Sequence, residues 1–317
     1  MDKILPLPQP LGYYTKELKH IIPQEAFKPA TYKLMPMFIH AGLFFLWMGL
    51  IIFFDTTIST IGFSILIGLS IACLFLYSHE LSHGTIIKKR PYLYLAQNFF
   101  WAFSGIPPTV WKRIHNLSHH QHMNTYSDPD RKTFKSEESF LNNLYNLFIY
   151  PNRVLRYSFT VGFAMMFYST KHILAVFYSN DRRPAIVTHR PNYSVKEKTS
   201  IVMELVYILS FWVIVWFLLG VKTAMLVSLI CWYTYSSLVI LFIITQHQRD
   251  PAFIAIADPL LTTTSVIIPT WLDRIIDWHS FHVEHHLFPG INFDYYSQLS
   301  DQIRERFPDK YKPIPLL

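Results

Sequence analysis

Charge is scarce in this chain. Only 15% of its 317 residues are Asp, Glu, Lys or Arg, against roughly 25% in soluble globular domains. With 51% hydrophobic residues, that shortage points to a membrane protein rather than a large soluble core. Cysteine is scarcer still. Cys73 and Cys231 both lie in apolar runs, which excludes a disulfide framework and a cysteine-based zinc site and leaves the redox compartment open. The N-terminus lacks the basic-then-apolar order of a secretory signal. Its prolines predict an extended cytosolic arm over residues 1–35. No internal repeat, Gly-Ser linker or low-complexity block divides the rest of the chain, so residues 36–317 read as one membrane domain.

Long apolar runs are what the chain does have. Four are near the ~20 residues needed to cross a bilayer: Pro36–Phe54, Ile58–Tyr77, Ile201–Leu219 and Thr223–Thr245. They form two hairpins with turns at Asp55–Thr57 and Gly220–Lys222. Tyr92–Pro108, Tyr157–Tyr178 and Ala252–Trp271 are interrupted by polar residues or proline and read as interfacial or re-entrant pieces. Between Gly84 and Ser200 there are sixteen Lys or Arg against six Asp or Glu. The positive-inside rule therefore puts that stretch and both termini in the cytoplasm and the two turns outside. A net charge of +7 suits anionic lipid headgroups. Nucleic acid is a poor alternative, because the basic residues flank spans.

Eight of the fifteen histidines fall in three clusters: His79 and His83 in H-E-L-S-H, His115, His119 and His120 in H-N-L-S-H-H, and His282, His285 and His286 in H-V-E-H-H. Spacings of three and four residues put side chains on one helix face. Neutral imidazole suits iron and zinc. A tetrahedral zinc site takes about four ligands, so converging clusters mean two metals, or one metal with a surplus. With four spans all three clusters share the cytoplasmic face. Glu80 and Glu284, inside the clusters, can orient imidazoles through the outer ring nitrogen or simply face solvent. Lys112 and Arg113, after Trp111, read equally as a phosphate-binding pair or as an interfacial anchor. His122 and His279 flank the clusters in supporting or surface roles. His20, His40, His172 and His189 belong to none and read as structural.

H-E-L-S-H also fits the H-E-x-x-H pattern of zinc proteases, with Glu80 as general base. That reading leaves six clustered histidines without a role. A metal carrier fits less well, since carriers place polar ligands within spans and these clusters lie at or beyond span ends.

From about Pro36 to Pro308 the chain resembles the integral-membrane fatty acid desaturase and hydroxylase superfamily. The resemblance rests on the order of clusters and spans, on His115-Asn-Leu-Ser-His119-His120, and on His282-Val-Glu-His285-His286-Leu-Phe-Pro289, which is most like acyl-lipid desaturases. It implies an all-α integral membrane fold of four transmembrane helices with a cytosolic helical cap. In that cap the eight clustered histidines would hold two iron ions. His247, where the fourth span ends, stands where some relatives keep an additional ligand; it reads equally as an interfacial residue. The implied activity is insertion of a double bond into a fatty acyl chain with O2 as co-substrate, with hydroxylase or ketolase chemistry as the alternative. The acyl group would sit on a lipid, CoA or a carrier protein. No haem-binding, flavin or iron–sulfur motif is present, so electrons are expected from a separate donor of ferredoxin or cytochrome b5 type. Front-end desaturases often carry Gln where His282 stands and a fused cytochrome b5 domain, which argues against that subclass.

Overall fold

The computed structural model describes residues 8–123, 128–129, 162, 164–177, 192–247 and 258–316. Among these the chain is almost wholly helical, with only two two-residue strands. The expected all-α membrane architecture is present.

Four helices are long and apolar enough to span a bilayer. They are α2 (Leu34–Phe54), α3 (Thr57–Ser82), α8 (Val195–Leu219) and α9 (Val221–His247). Both expected hairpins form. α2 stops at Asp55 in the left-handed region (φ 45°), and α3 restarts at once through a capping box between Thr56 and Ser59. α8 opens on a capping box between Ser194 and Glu197 and ends at Gly220 (φ 71°), a conformation that glycine adopts without strain. Outward faces carry exposed Phe53, Ile58, Phe217 and Val221, as surfaces bathed in lipid require.

Both helices that carry site histidines outrun the apolar stretches read from sequence. At ~1.5 Å per residue, 26 residues of α3 reach about 39 Å, beyond the ~30 Å hydrocarbon core. Hydropathy marked the end of the span, not of the helix: α3 continues to Ser82 and carries the first cluster on its last turns. α3 is also the central post of the bundle, contacting α2, α9 and α4 (Arg90–Ser104). Gly68 permits its closest approach to α9. A Cβ there would lie 2.6 Å from Thr234 Cβ and 2.7 Å from the Cys231 carbonyl oxygen.

The interrupted apolar stretches make shorter elements. α4 has 15 residues, too short to cross, and the described part of Tyr157–Tyr178 includes α7 (Ala164–Phe177). The described part of Ala252–Trp271 forms α10 (Pro259–Thr262), β1 (Val266–Ile267) and the start of α11 (Thr270–Ile275). β1 pairs in parallel with β2 (Ile314–Pro315). α12 (His282–Leu287) and α13 (Tyr296–Arg306) complete a cap at the histidine-bearing ends of α3 and α9.

The N-terminal arm differs from the extended tail its prolines predict. α1 (Leu11–Leu18) buries Tyr14 and Leu18 in an apolar cluster with Val283, Leu287, Tyr296 and Leu299 of the cap. The fully buried Asp258 fixes it, accepting from the Tyr14 hydroxyl at 2.9 Å, the Gln9 N–H at 2.7 Å and Lys310 at 3.0 Å. The arm's partners lie some 250–300 residues away in sequence, so composition alone gave no sign of them.

Candidate metal centre

The first and third histidine clusters are presented by α-helices and the second by a π-helix. His79 sits on the last turn of α3, and His83 is its C-terminal cap. The second cluster follows α5 (Pro108–Trp111) in a π-helix over Lys112–His119, then α6 (His120–His122). A helix bonded i→i+5 has a wider turn than an α-helix, so positions four and five residues on both flank the starting position. His115, His119 and His120 have that spacing. The third cluster, in α12, has α-helical i, i+3, i+4 spacing. The π winding thus absorbs the one extra residue of the second cluster, and both clusters offer three imidazoles on one side. The one-face argument from spacing holds for α12, but in the second cluster the winding is what brings His120 round. Glu204 of α8, itself buried, anchors that segment by accepting from the Thr109 N–H at 3.0 Å and the Thr109 hydroxyl at 2.6 Å.

All eight clustered histidines come together, and His247, the last described residue of α9, joins them. They form two adjoining groups. In one, ligating atoms of His79, His83, His115, His120 and His285 lie within 4.8 Å of one another; in the other, so do those of His119, His247 and His286. His282 Nε2 lies 2.7 Å from His247 Nε2 and 3.1 Å from His286 Nε2, which places it in the second group.

The donor set fits metal ions. His79 and His115 face each other Nε2 to Nε2 at 2.7 Å, and His285 and His120 at 3.2 Å. The Nδ1 of both His79 and His285 is turned to a carboxylate that accepts its proton, so their Nε2 atoms present lone pairs inward. His83 Nε2 is buried with no hydrogen-bond partner. Burial away from water lowers the pKa of His115, His120, His282, His285 and His286 well below 6.5, and that of His83 to about 3. Neutral imidazoles with converging lone pairs are ready cation ligands.

Buried carboxylates stand behind the ring nitrogens. One oxygen of Glu80 lies 2.7 Å from His79 Nδ1 and 3.2 Å from His285 Nδ1, bridging the first and third clusters. Tyr296 OH is 3.3 Å from the same His285 nitrogen. Asp128 does the equivalent for the second group, 2.9 Å from His119 Nδ1. Asp128 and Tyr296 were not singled out from sequence; only a buried acid shortly after a histidine cluster could have hinted at Asp128. Glu284 lies elsewhere. At i+2 from His282 it is on the opposite face of α12, where it accepts from Ser265 Oγ at 2.5 Å and from the Tyr311 hydroxyl. It clamps the third cluster to β1 and the C-terminal segment rather than touching an imidazole.

Glu80 also forms a third group with His79 and His279, their ligating atoms within 4.8 Å of one another, but the position of its partnered oxygen weighs against the protease geometry. A general base must reach a water on the metal, whereas the Glu80 oxygen with partners lies behind two imidazoles, on their outer nitrogens.

A small pocket of about 30 Å³ opens among His79, His115, His119, His247 and His282, and its remaining wall is mostly apolar: Phe75, Trp111, Met165, Tyr168 and Ile243. His279 also lines it. His172 is buried against Tyr168, ring centroids 4.4 Å apart, and joins neither group. His20 and His122 are exposed. Arg113 is engaged with the Asn192 carbonyl and with Glu197 at 3.7 Å, while Lys112 is exposed. His189 lies outside the described residues.

Comparison with known proteins bears on this geometry. The fatty acid desaturase family model matches residues 55–316, a range that takes in every histidine of both groups. The chain is also 23% identical over 285 residues to an acyl-lipid (7-3)-desaturase of Diacronema lutheri, covering 81% of this chain and 60% of that protein. The chain thus spans about 60% of the length of this curated relative.

Proposed function

The chain belongs to the fatty acid desaturase family, and from that membership we propose that it inserts a double bond into a fatty acyl chain. The observation that carries the proposal is the pair of histidine groups opening on one apolar pocket. We propose His79, His83, His115, His120 and His285 as ligands of one iron, and His119, His247, His282 and His286 as ligands of a second. Two irons held there would supply O2 activation and removal of hydrogen from an unactivated methylene, chemistry beyond side-chain acids and bases. The overall reaction balances as a CH2–CH2 unit, O2, two electrons and two protons giving an alkene and two waters. The electrons come from a separate donor protein.

The chain's own residues set the conditions. Phe75, Trp111, Met165 and Ile243 exclude water and offer an apolar wall to the acyl chain. Glu80, Asp128 and Tyr296 hold imidazoles in the orientation that points Nε2 inward. Exposed Lys112 stands open to a lipid or carrier phosphate, whereas Arg113 is tied to α8. The histidine groups and both termini are proposed to face the cytoplasm, where reducing partners are found.

Two measurements test this. Purified protein should carry close to two iron per chain, with fatty acids of an expressing host gaining a double bond by gas chromatography–mass spectrometry. Hydroxylated or keto acids in place of alkenes would reassign the reaction within the family. Zinc as the sole activating metal would overturn the proposal.

A further inference from the structure

His279 is the one imidazole in the wall of the histidine pocket that is assigned to neither metal. It stands between the two sites. Its ring centroid lies 5.3 Å from that of His79, in one group, and 5.9 Å from that of His282, in the other. Its backbone is fully engaged, the N–H with the Ile276 carbonyl and the carbonyl with the Gln246 side chain at 2.7 Å. Among the described residues, neither of its ring nitrogens has a hydrogen-bond partner.

The chain places that ring through strained backbone. Asp277 and Trp278, immediately before it, both take the left-handed region, at φ 54° and 58°. A Cβ disfavours that region, and a bulky residue such as Trp is an outlier there. Among the described non-glycine residues only Asp55 shares it, and Asp55 merely caps the end of α2 at an exposed turn. Strain of this kind persists where the surroundings over-determine it, and it clusters at functional sites. Here the surroundings do so. The Asp277 carboxylate accepts from the Lys33 ammonium, just before α2, at 2.6 Å, and the pair is almost wholly buried. Asp294 holds the same ammonium at 3.1 Å. The Trp278 N–H donates to the Asp273 carbonyl of α11 at 2.8 Å, and Ser280 Oγ donates to the Asp273 carboxylate at 2.6 Å. Ties from the foot of α2, from α11 and from Gln246 of α9 thus converge on four residues, 277–280, and their joint effect is to turn one imidazole into the pocket.

The pocket measures about 30 Å³. A water needs roughly 10–15 Å³ of such space, so there is room for a molecule of about two or three heavy atoms. We propose that His279 is a positioning imidazole for the small co-substrate, dioxygen, which it hydrogen-bonds between the two histidine groups without ligating either metal, and that the Lys33–Asp277 tie aims its ring. The inference rests on both groups holding metal and deepens that reading by giving the pocket a residue of its own.

The probe is azide, a three-atom hydrogen-bond acceptor, titrated calorimetrically into the metal-loaded full-length protein. Heat reports binding without turnover and whichever metal is held. His279→Phe keeps a ring but no donor. It should leave metal content at the wild-type value by elemental analysis and weaken azide binding about 2- to 10-fold, the range of one hydrogen bond. His279→Gln, which restores an N–H donor, should recover much of that loss. Asp277→Ala leaves His279 in place, removes its tether to Lys33 and puts alanine where the left-handed region disfavours it, so azide should weaken as in His279→Phe. Asp277→Asn, a residue that visits this region, should stay near wild type. Should Asp277→Ala fail to fold, the two His279 variants still decide. Loss of metal in His279→Phe as severe as in His282→Ala would make His279 a ligand and overturn the proposal. Azide affinity unchanged by His279→Phe, or a metal-loaded wild type that binds no azide, would overturn it too. Absence of a new double bond in an expressing host would sink the desaturase reading alone, because the azide result does not depend on it.

Discussion

At the scale of single residues, the acids behind the imidazoles make the sharpest claim. Glu80 touches His79 and His285, which belong to one histidine group, and Asp128 touches His119, which belongs to the other. Removing an orienting carboxylate of this kind costs roughly 10–100-fold in metal affinity or activity. Glu80→Gln and Asp128→Asn should each fall in that range, and each should release chiefly the ion of its own group, leaving about one iron per chain by elemental analysis. Loss of both ions in both variants would show that the groups are not separable. Glu284→Gln supplies the contrast. Its carboxylate holds Ser265 and Tyr311, so its cost should appear first in thermal stability. His247 is tested in the same terms. If its place beside His282 reflects ligation, His247→Ala should deplete iron as severely as His282→Ala. The control is His172→Ala, which alters a buried ring outside both groups and should leave iron near wild type. Equal and small effects at positions 247 and 172 would reject the assignment.

The elements show what sequence could and could not reveal. Two hairpins of apolar helices were legible because hydropathy reports burial in lipid directly, and the three histidine clusters because imidazoles so dense have few other uses. Helix ends were less legible: α3 runs on through Ser82 because polar residues at a helix end do not stop a helix, only an apolar run. The docking of α1 was invisible because Asp258, which holds it, lies far along the chain. The winding of the second cluster was hidden for a different reason, since a π turn shows only as one residue too many. That extra residue is testable. Deleting Leu117, a partly exposed side chain, converts i, i+4, i+5 spacing to the i, i+3, i+4 spacing of α12. The segment should then wind as an α-helix and keep measurable metal. Inserting one alanine after Leu117 instead moves the pair to i+5 and i+6, of which only i+5 stays within reach of a π turn, and should cost the imidazole displaced to i+6 and with it much of the bound metal. Retention of full metal after the insertion would mean that the winding does not position these imidazoles.

For the whole molecule, the arrangement of helices makes sidedness a single question. An even number of spans closes two hairpins at one end, at Asp55–Thr56 and at Gly220, while α3 and α9 carry His79 and His247 to the other. Every histidine of both groups meets there, so the first, second and third clusters share a face of the membrane. From the positive charge between Gly84 and Ser200 we propose that this face is the cytoplasmic one. The native cysteines favour a simple assay, because Cys73 and Cys231 are both buried in the bundle and should be silent to a membrane-impermeant maleimide. Single cysteines at exposed Lys89 and Asp301 should therefore react only when the cytoplasmic side is opened to reagent, and ones at exposed Thr56 and Lys222 in intact cells. Reversal of all four would keep the architecture and overturn the cytoplasmic assignment. Labelling of positions 89 and 301 from opposite sides would be more serious. It would put a bilayer between the first and third clusters, and Glu80 could then not bridge His79 and His285 with one carboxylate oxygen.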